Sequence, residues 1–315
     1  MKVNRSTFSN SEFIVFLGLL GIGIFFSIAS PVFLTRFNLL NILLQSSTQG
    51  IIAIGMTFVI LTQGIDLSVG SLVALSGVVM AIMLHLEIPV YLVLPINLAF
   101  GAAVGMFQGL AITKIRMAPF IVTLSVMAMA RGLTMVLSQG KTIFSFPESF
   151  NYIGSGKFGP ISVTVFVFLL YAIVAEILLR STVIGRNIYA VGSNIKAAAL
   201  SGIKTNWILN FVYVVSGISC AIAGIILTGR LDAAMPTAAT GYELDAIAAV
   251  IIGGASLSGG KGTIIGTIIG VLMIGVINNG MNLMNVPPFW QNFIKGAVIF
   301  IAVMIDSLKN RPTEG

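Results

Sequence analysis

Charged residues are scarce in this chain. They make up 9% of its 315 residues, whereas soluble globular proteins carry about 25%. Hydrophobic residues make up 57%, so there is too little polar surface to cover a fold in water. The composition excludes a soluble globular protein and indicates a chain surrounded mainly by lipid.

Cysteine and histidine are nearly absent. Cys220 and His85 are the only residues of their kinds, which excludes an internal disulfide and disfavours a Cys/His metal site. The glycine-rich stretch 255–262 lacks the first glycine and the Ser or Thr of an ATP-binding P-loop. The sequence also has no nucleophile motif and no pair of catalytic carboxylates. We therefore expect no enzymatic activity, no metal and no cofactor in this chain.

Long apolar runs recur along the whole sequence. Each is close to the roughly 20 residues that cross about 30 Å of hydrocarbon, and each is apolar on every face, unlike the alternating strands of a membrane barrel. The sequence predicts an all-α polytopic membrane protein with one transmembrane domain over 13–307, a segment 1–12 before it and a tail 308–315 after it. Its ten predicted helices, the first of them uncleaved, cover residues 13–33, 39–62, 67–86, 90–113, 119–138, 161–179, 207–228, 242–257, 263–283 and 289–307.

Basic residues predict the orientation. If the N-terminus is cytoplasmic and each span crosses once, most of them fall inside, as the positive-inside rule requires. The inside group is Lys2, Arg5, Lys114, Arg116, Arg180, Arg186, Lys196, Lys204, Lys261, Lys309 and Arg311, and the outside group is Arg36, Lys141, Lys157 and Arg230. This distribution accounts for the net charge of +7 without nucleic acid. It predicts that both termini lie in the cytoplasm.

The two halves, about 39–138 and 207–307, share an order of features. Gly64 and Asp66 open the third predicted span, and Gly241, Glu243 and Asp245 open the eighth. Glycines at four-residue spacing, a Pro-Phe helix start and a basic residue followed by glycine come next in each half. Because the third and eighth spans cross in opposite directions, the order indicates the inverted repeats of transporters. Alternatively, the carboxylates are helix caps and the glycines only permit close packing.

Two basic residues lie within predicted spans. Arg131 falls in the fifth and Lys295 in the tenth, where an unpaired charge costs roughly 2.5 to 3.5 kcal/mol on insertion scales. They either form structural pairs or line a polar path. Such a path would gain amide groups for hydroxyl-rich solutes from Asn278, Asn279 and Asn282. The sequence predicts no acidic residue deep in the membrane, which disfavours a proton-coupled carrier.

The predicted cytoplasmic link, residues 180–206, is a candidate docking segment. Ser193 or Asn194 can cap a short alanine-rich helix that Gly202 can end. A transporter without an ATP site needs such a surface for an ATPase partner, although an ordinary interfacial helix is the alternative. The candidate coupling residues are Gly185, Arg186, Gly192, Asn194, Lys196, Ala198 and Gly202.

Several stretches together resemble one known family. They are residues 55–57, 64–71, 185–203, 241–249, 253–262 and 278–280. Over about 39–306 the sequence resembles the permease subunits of sugar-type ABC importers. It departs from their pattern after Asn194, where Ile195 and Lys196 replace the usual acidic or mixed charge, so the family's charge pairing with the ATPase is not carried over.

The resemblance implies an assembly in which this chain has no energy source of its own. The family forms homodimers of ten-span subunits with the type II fold of the cobalamin importer, and the solute path follows the dimer axis. Cytoplasmic ATPase subunits bind ATP and magnesium, and a periplasmic sugar-binding protein delivers the substrate, for which ribose is favoured. The resemblance also implies a location in the bacterial inner membrane, with lipid around the complex. The alternatives are an ion-coupled secondary sugar carrier and a membrane scaffold or receptor without transport activity.

Overall fold

The structure, a computed structural model, describes residues 10–309, without the side chains of residues 10, 11, 305, 307 and 309. Lys2, Arg5 and Arg311, with residues 1–9 and 310–315 of the predicted terminal segments, lie outside the described residues. The described helices are α1 (Asn10–Ala29), α2 (Arg36–Leu61), α3 (Val69–His85), α4 (Val90–Thr113), α5 (Pro119–Ser138), α6 (Glu148–Ser155), α7 (Val163–Ser181), α8 (Val183–Ser193), α9 (Ile195–Leu200), α10 (Thr205–Leu231), α11 (Tyr242–Ile252), α12 (Ile264–Leu283) and α13 (Pro288–Lys309).

Each of the ten predicted spans contains one of these helices. Seven of the described helices, α1, α2, α4, α5, α7, α10 and α12, are long and apolar enough to cross a membrane. Helix α3 and the stretch Pro288–Met304 of α13 are apolar but shorter. Helix α11 has only 11 residues, a rise of about 16 Å at 1.5 Å per residue. The structure therefore supports a polytopic helical membrane protein, while the count of ten crossings stays a prediction.

Helices α2 and α10 form the buried centre of the bundle, and glycines let their neighbours approach closely. A Cβ on Gly101 of α4 would stand 2.4 Å from the carbonyl oxygen of Gly217 in α10. A Cβ on Gly270 of α12 would stand 2.0 Å from that of Ala249 in α11. These contacts require glycine, because any side chain would push the two backbones apart.

The helix contacts follow a pattern that is the same in both halves. Helix α3 packs against α4, α5 and α10, and helix α11 packs against α12, α13 and α2. Likewise α10 packs against α4, and α2 packs against α12. In these contacts the helices α2, α3, α4 and α5 correspond, in that order, to α10, α11, α12 and α13.

The bundle has two distinct ends. At the link end, Leu61 of α2 accepts a hydrogen bond from the backbone of Gly260, and α8 and α9 lie beside it. At the strand end, His85 of α3 hydrogen-bonds the carbonyl oxygen of Phe144. There the two-residue strands β1 (Ile143–Phe144) and β4 (Ala233–Ala234) pair antiparallel, as do β2 (Lys157–Phe158) and β3 (Ile161–Ser162). Helix α3 thus runs toward the strand end, whereas α11 runs toward the link end.

Candidate functional site

An irregular segment, residues 235–241, leads into α11, and within it Pro236 and Ala239 are buried whereas Thr237 and Thr240 are exposed. Gly241 adopts the left-handed conformation with φ 86°, and Tyr242 begins the helix. Arg131, near the middle of α5, donates from Nη1 to the carbonyl oxygens of Pro236 (2.9 Å) and Ala238 (3.0 Å). Backbone polar groups in a membrane interior need such partners, because no water is available to them. In this structure Arg131 therefore stabilises the irregular segment.

Lys295 forms an ion pair across the start of α11. Its Nζ lies 3.0 Å from Oδ2 of Asp245, whose side chain is 5% exposed, and the Lys295 side chain is 24% exposed. Gln49, near the middle of α2, donates to the same oxygen at 3.2 Å. The pair joins α11 to α13, and the bond from Gln49 joins α11 to α2.

Asp66 is a second buried carboxylate. It is 0% exposed and accepts from the backbone N–H (3.0 Å) and Oγ (2.6 Å) of Ser68 and from Oγ of Ser216 in α10 (2.7 Å). Gln108 of α4 donates to Ser68 Oγ at 2.6 Å. Asp66 and Asp245 are therefore both buried within the described bundle, and the absence of acidic side chains deep in the membrane stays a prediction. Hydrogen-bond donors compensate Asp66, and Lys295 compensates Asp245.

The third helix-start carboxylate, Glu243, lies between the two halves. A Cβ on Gly70, at the start of α3, would stand 2.4 Å from both Glu243 Oε2 and the carbonyl oxygen of Ala239. The first turn of α3 therefore packs directly against the first turn of α11. Because negative charge near a helix N-terminus is stabilised by the helix dipole, this position also suits the carboxylates at Glu243 and Asp245.

The structure does not bring the three asparagines of α12 together. Asn279 is buried and exchanges two amide hydrogen bonds with Asn38 of α2, at 2.9 and 2.8 Å. Asn282 accepts from Gln291 at 2.9 Å near the end of the helix. Asn278 has a buried Oδ1 with no partner among the described residues. Asn279 thus holds α2 to α12, and Asn278 alone offers an unused acceptor.

The predicted link folds as two short helices. Thr182 caps α8 by accepting from Gly185 N at 3.1 Å, and Asn194 caps α9 by accepting from Ala197 N at 3.0 Å. Gly202 follows α9 with φ 84°. The predicted start and end of the short helix, at Asn194 and Gly202, are confirmed.

The candidate coupling residues divide between the surface and the interior of the link. Gly185, Gly192 and Ala198 are buried, whereas Arg186, Asn194, Lys196 and Gly202 are exposed. Ala198 packs inward with the cluster that contains Ile188 and Ile208, so it is a packing residue and not a surface contact. Sequence reasoning missed Leu200, which is 91% exposed, and Ile195, which is 45% exposed.

Sequence reasoning also missed the polar residues that complete the interior network, namely Gln49, Gln108 and Ser216. The available signal was the presence of glutamine within two predicted membrane spans. A glutamine there must find a hydrogen-bond partner, because an unsatisfied amide in an apolar environment is costly.

Comparisons with known proteins agree with one another. Residues 38–303 match the family model described as branched-chain amino acid transport system, permease component. The ribose import permease protein of Haemophilus influenzae is 44% identical, over 98% of this chain and 98% of the relative. That of Bacillus subtilis is 48% identical, over 94% and 92%. The galactose/methyl galactoside import permease protein of Escherichia coli is 39% identical, over 94% and 93%. No solved structure matches.

Proposed function

The chain belongs to this permease family, and on that basis we propose that it is the membrane-spanning subunit of an ATP-driven ABC importer for a small sugar. The main support for this proposal is a sequence identity of 44–48% to ribose import permeases over nearly the whole chain. Relatives named for galactose and allose are 39% identical, so ribose is the first substrate to test.

We propose that the subunit crosses the membrane ten times as two inverted repeats and works as a homodimer. The repeat is supported because α2–α5 and α10–α13 make corresponding helix contacts. Its inversion is supported because α3 and α11 run in opposite directions. The link end carries the basic Arg186 and Lys196, which favours a cytoplasmic location for that end under the positive-inside rule.

We propose that α9 docks a cytoplasmic ATPase subunit, which would bind ATP and magnesium. Leu200 and Ile195 give the helix an exposed apolar surface beside Lys196. Apolar side chains exposed on a short helix at one end of a membrane bundle suit a hydrophobic groove on a partner. A sugar-binding protein would engage the strand end and select the substrate.

We propose that the sugar path passes the region where α3 and α11 begin, since Arg131, Glu243, Asp245 and Lys295 concentrate polarity there. Discontinuous helices of this kind form the central sites of many transporters.

Reconstitution tests the function directly. Vesicles that contain this chain, its ATPase and its binding protein should take up ribose only when ATP is present on the side of the membrane that carries the ATPase. A panel of galactose, allose, xylose and ribose would rank the substrates. Absence of ATP-dependent uptake of every sugar would refute the proposal.

An ion-coupled carrier is the second candidate, and the two buried carboxylates, Asp66 and Asp245, are the observation that favours it. Buried ionisable residues mark proton relays in many pumps and transporters. Vesicles that contain this chain alone, with an imposed proton or sodium gradient, would then accumulate sugar. We expect no uptake, because each carboxylate already has protein partners.

The docking role of α9 has its own test. Leu200→Glu should weaken co-purification of the ATPase by about tenfold, because burial of one leucine is worth roughly 1.5 to 3 kcal/mol and 1.4 kcal/mol is a factor of ten. Leu86→Glu is the matched control, since Leu86 is an exposed leucine at the strand end. Equal effects of both substitutions would contradict docking at α9.

A further inference from the structure

The link is joined to the helix bundle at one small junction. We define the link junction as Leu61, Gln63, Gly192 and Gly260. Gln63 Nε2 donates to the carbonyl oxygen of Gly192 at 2.7 Å, and Gly260 N donates to that of Leu61 at 2.9 Å. The last residue of α2, the last turn of α8 and the turn before α12 therefore share direct hydrogen bonds.

The packing at this junction leaves no room for relative sliding. A Cβ on Gly192 would stand 1.7 Å from the carbonyl oxygen of Leu61. A Cβ on Gly259 would stand 2.5 Å from Cγ of Gln63. Gln63 itself holds the left-handed backbone, φ 64°, that commonly ends a helix, and the N–H groups of Gln63 and Gly64 bond to the carbonyl oxygens of Ile60 and Val59 in α2. Displacement of α8 must therefore move its neighbours.

One route from the junction leads to the start of α3. Gln63 is followed by Gly64, where a Cβ would stand 2.6 Å from the hydroxyl of Tyr213. Asp66 comes three residues after Gln63 and is fixed by hydrogen bonds to Ser68 and Ser216. A displacement of Gln63 would therefore move a short, tightly packed segment that ends at the first turn of α3.

A second route leads to α11. Gly260 lies in the turn that connects α11 to α12, and Tyr189 of α8 donates from its hydroxyl to the carbonyl oxygen of Gly262 at 2.8 Å. Helix α11 ends at Ile252, so a displacement of this turn reaches Asp245 and its ion pair with Lys295 through about two helical turns.

We propose that Gln63 is a positioning residue for coupling: its hydrogen bond to Gly192 transmits movement of α8 and α9 to the start of α3, while the bond from Tyr189 to Gly262 carries the movement to α11. The inference rests on the proposed function, because the movement is supplied by the docked ATPase. Gln63 does not contact sugar or nucleotide in this role. Its amide keeps the link attached to the bundle while the ATPase moves α8 and α9.

Three substitutions in the complete reconstituted complex test the bond. Gln63→Glu keeps the size of the side chain but replaces the donor with an acceptor that faces a carbonyl oxygen. Gln63→Lys retains a donor on a long side chain. Gln139→Ala is the control, because Gln139 is an exposed glutamine with the same left-handed backbone, φ 53°, at the end of α5.

The measured quantity is the number of sugar molecules transported per ATP hydrolysed. Gln63→Glu should lower this ratio about fivefold, which corresponds to roughly 1 kcal/mol for one hydrogen bond, while ATPase co-purification stays at the wild-type level. Gln63→Lys should recover at least half of the ratio, and Gln139→Ala should leave it unchanged. A residue with only a structural role would lower complex yield and leave the ratio intact.

A wild-type ratio in Gln63→Glu, with the wild-type complex active, would overturn the role of Gln63. Loss of the complex in Gln63→Glu and Gln63→Lys alike would also overturn it, because the junction would then serve assembly. If the wild-type complex shows no ATP-dependent uptake, the proposed function itself fails. The two failures are therefore distinguishable in one experiment.

Discussion

Removal of the Lys295 charge should destabilise the protein strongly. Lys295→Met keeps a similar length but leaves Asp245, with a side chain 5% exposed, paired only with Gln49. At 3.0 Å, the two charges attract by roughly 5 kcal/mol for an effective dielectric constant of about 20. Desolvation offsets much of that attraction, and breaking a buried pair by removing one partner costs about 3 to 5 kcal/mol. We expect about 3 kcal/mol, because Lys295 is partly exposed.

The double-mutant cycle gives the decisive number. Asp245→Asn alone should cost less, about 1 to 2 kcal/mol, because Lys295 is 24% exposed and a long basic side chain can reach a more polar region. The combination of Asp245→Asn and Lys295→Met should cost less than the sum of the two by about 2 kcal/mol.

Unfolding of the purified protein in mild detergent, by titration with a denaturing detergent, measures these free energies. Glu176→Gln is the control, because the ion pair of Glu176 with Arg180 is partly exposed and should be worth less than about 1 kcal/mol. If the effects of Asp245→Asn and Lys295→Met are additive within about 0.5 kcal/mol, the pair does not hold α11 in place and the reasoning is refuted.

Two further predictions concern the ends of the bundle. Gly192→Ala should destabilise the protein by about 2 kcal/mol, because its Cβ would clash with Leu61 and overpacking costs roughly 1 to 3 kcal/mol. Gly132→Ala is the control in the same unfolding assay. A Cβ at Gly132 meets nothing within 4 Å, so this substitution should be neutral or stabilising. Hydrogen bonds from the Phe146 backbone and Asn151 lower the pKa of Asp232. The ionised carboxylate therefore stabilises the folded protein above the ordinary pKa of 3.8, and this stabilisation is lost as the pH falls through the lowered pKa. Asp232→Asn should remove that part of the acid dependence below about pH 5, and identical pH profiles for both proteins would contradict the assignment.

Hydropathy alone was enough to locate the helices. Every predicted span contains a helix, because a chain with so few charges can bury its backbone in lipid only as helices. The bounds of α4 (Val90–Thr113) and α5 (Pro119–Ser138) agree with the predicted ones to the residue. The helix α6 (Glu148–Ser155), between the fifth and sixth predicted spans, was not predicted, since that segment is too polar and too short to signal a span.

The partners of the interior charges could not be predicted. The sequence identified Arg131 and Lys295 as costly residues that need compensation, but left their roles open. Asp245 lies 50 residues from Lys295 and 196 residues from Gln49 along the chain, and a single sequence carries no local signal for contacts at such separations. Only packing of α2, α11 and α13 decides that these three groups meet.

The scarcity of charge thus determined by itself that the protein is a helical membrane protein, because hydropathy is a local property of each segment. The tertiary structure decided that α11 starts inside the bundle and ends at Ile252, not at residue 257 as the apolar run suggested. A half-length helix is stable there because Arg131 satisfies the carbonyl groups of the segment before it. That compensation comes from a different helix, 105 residues away in sequence, and exists only once the bundle is packed.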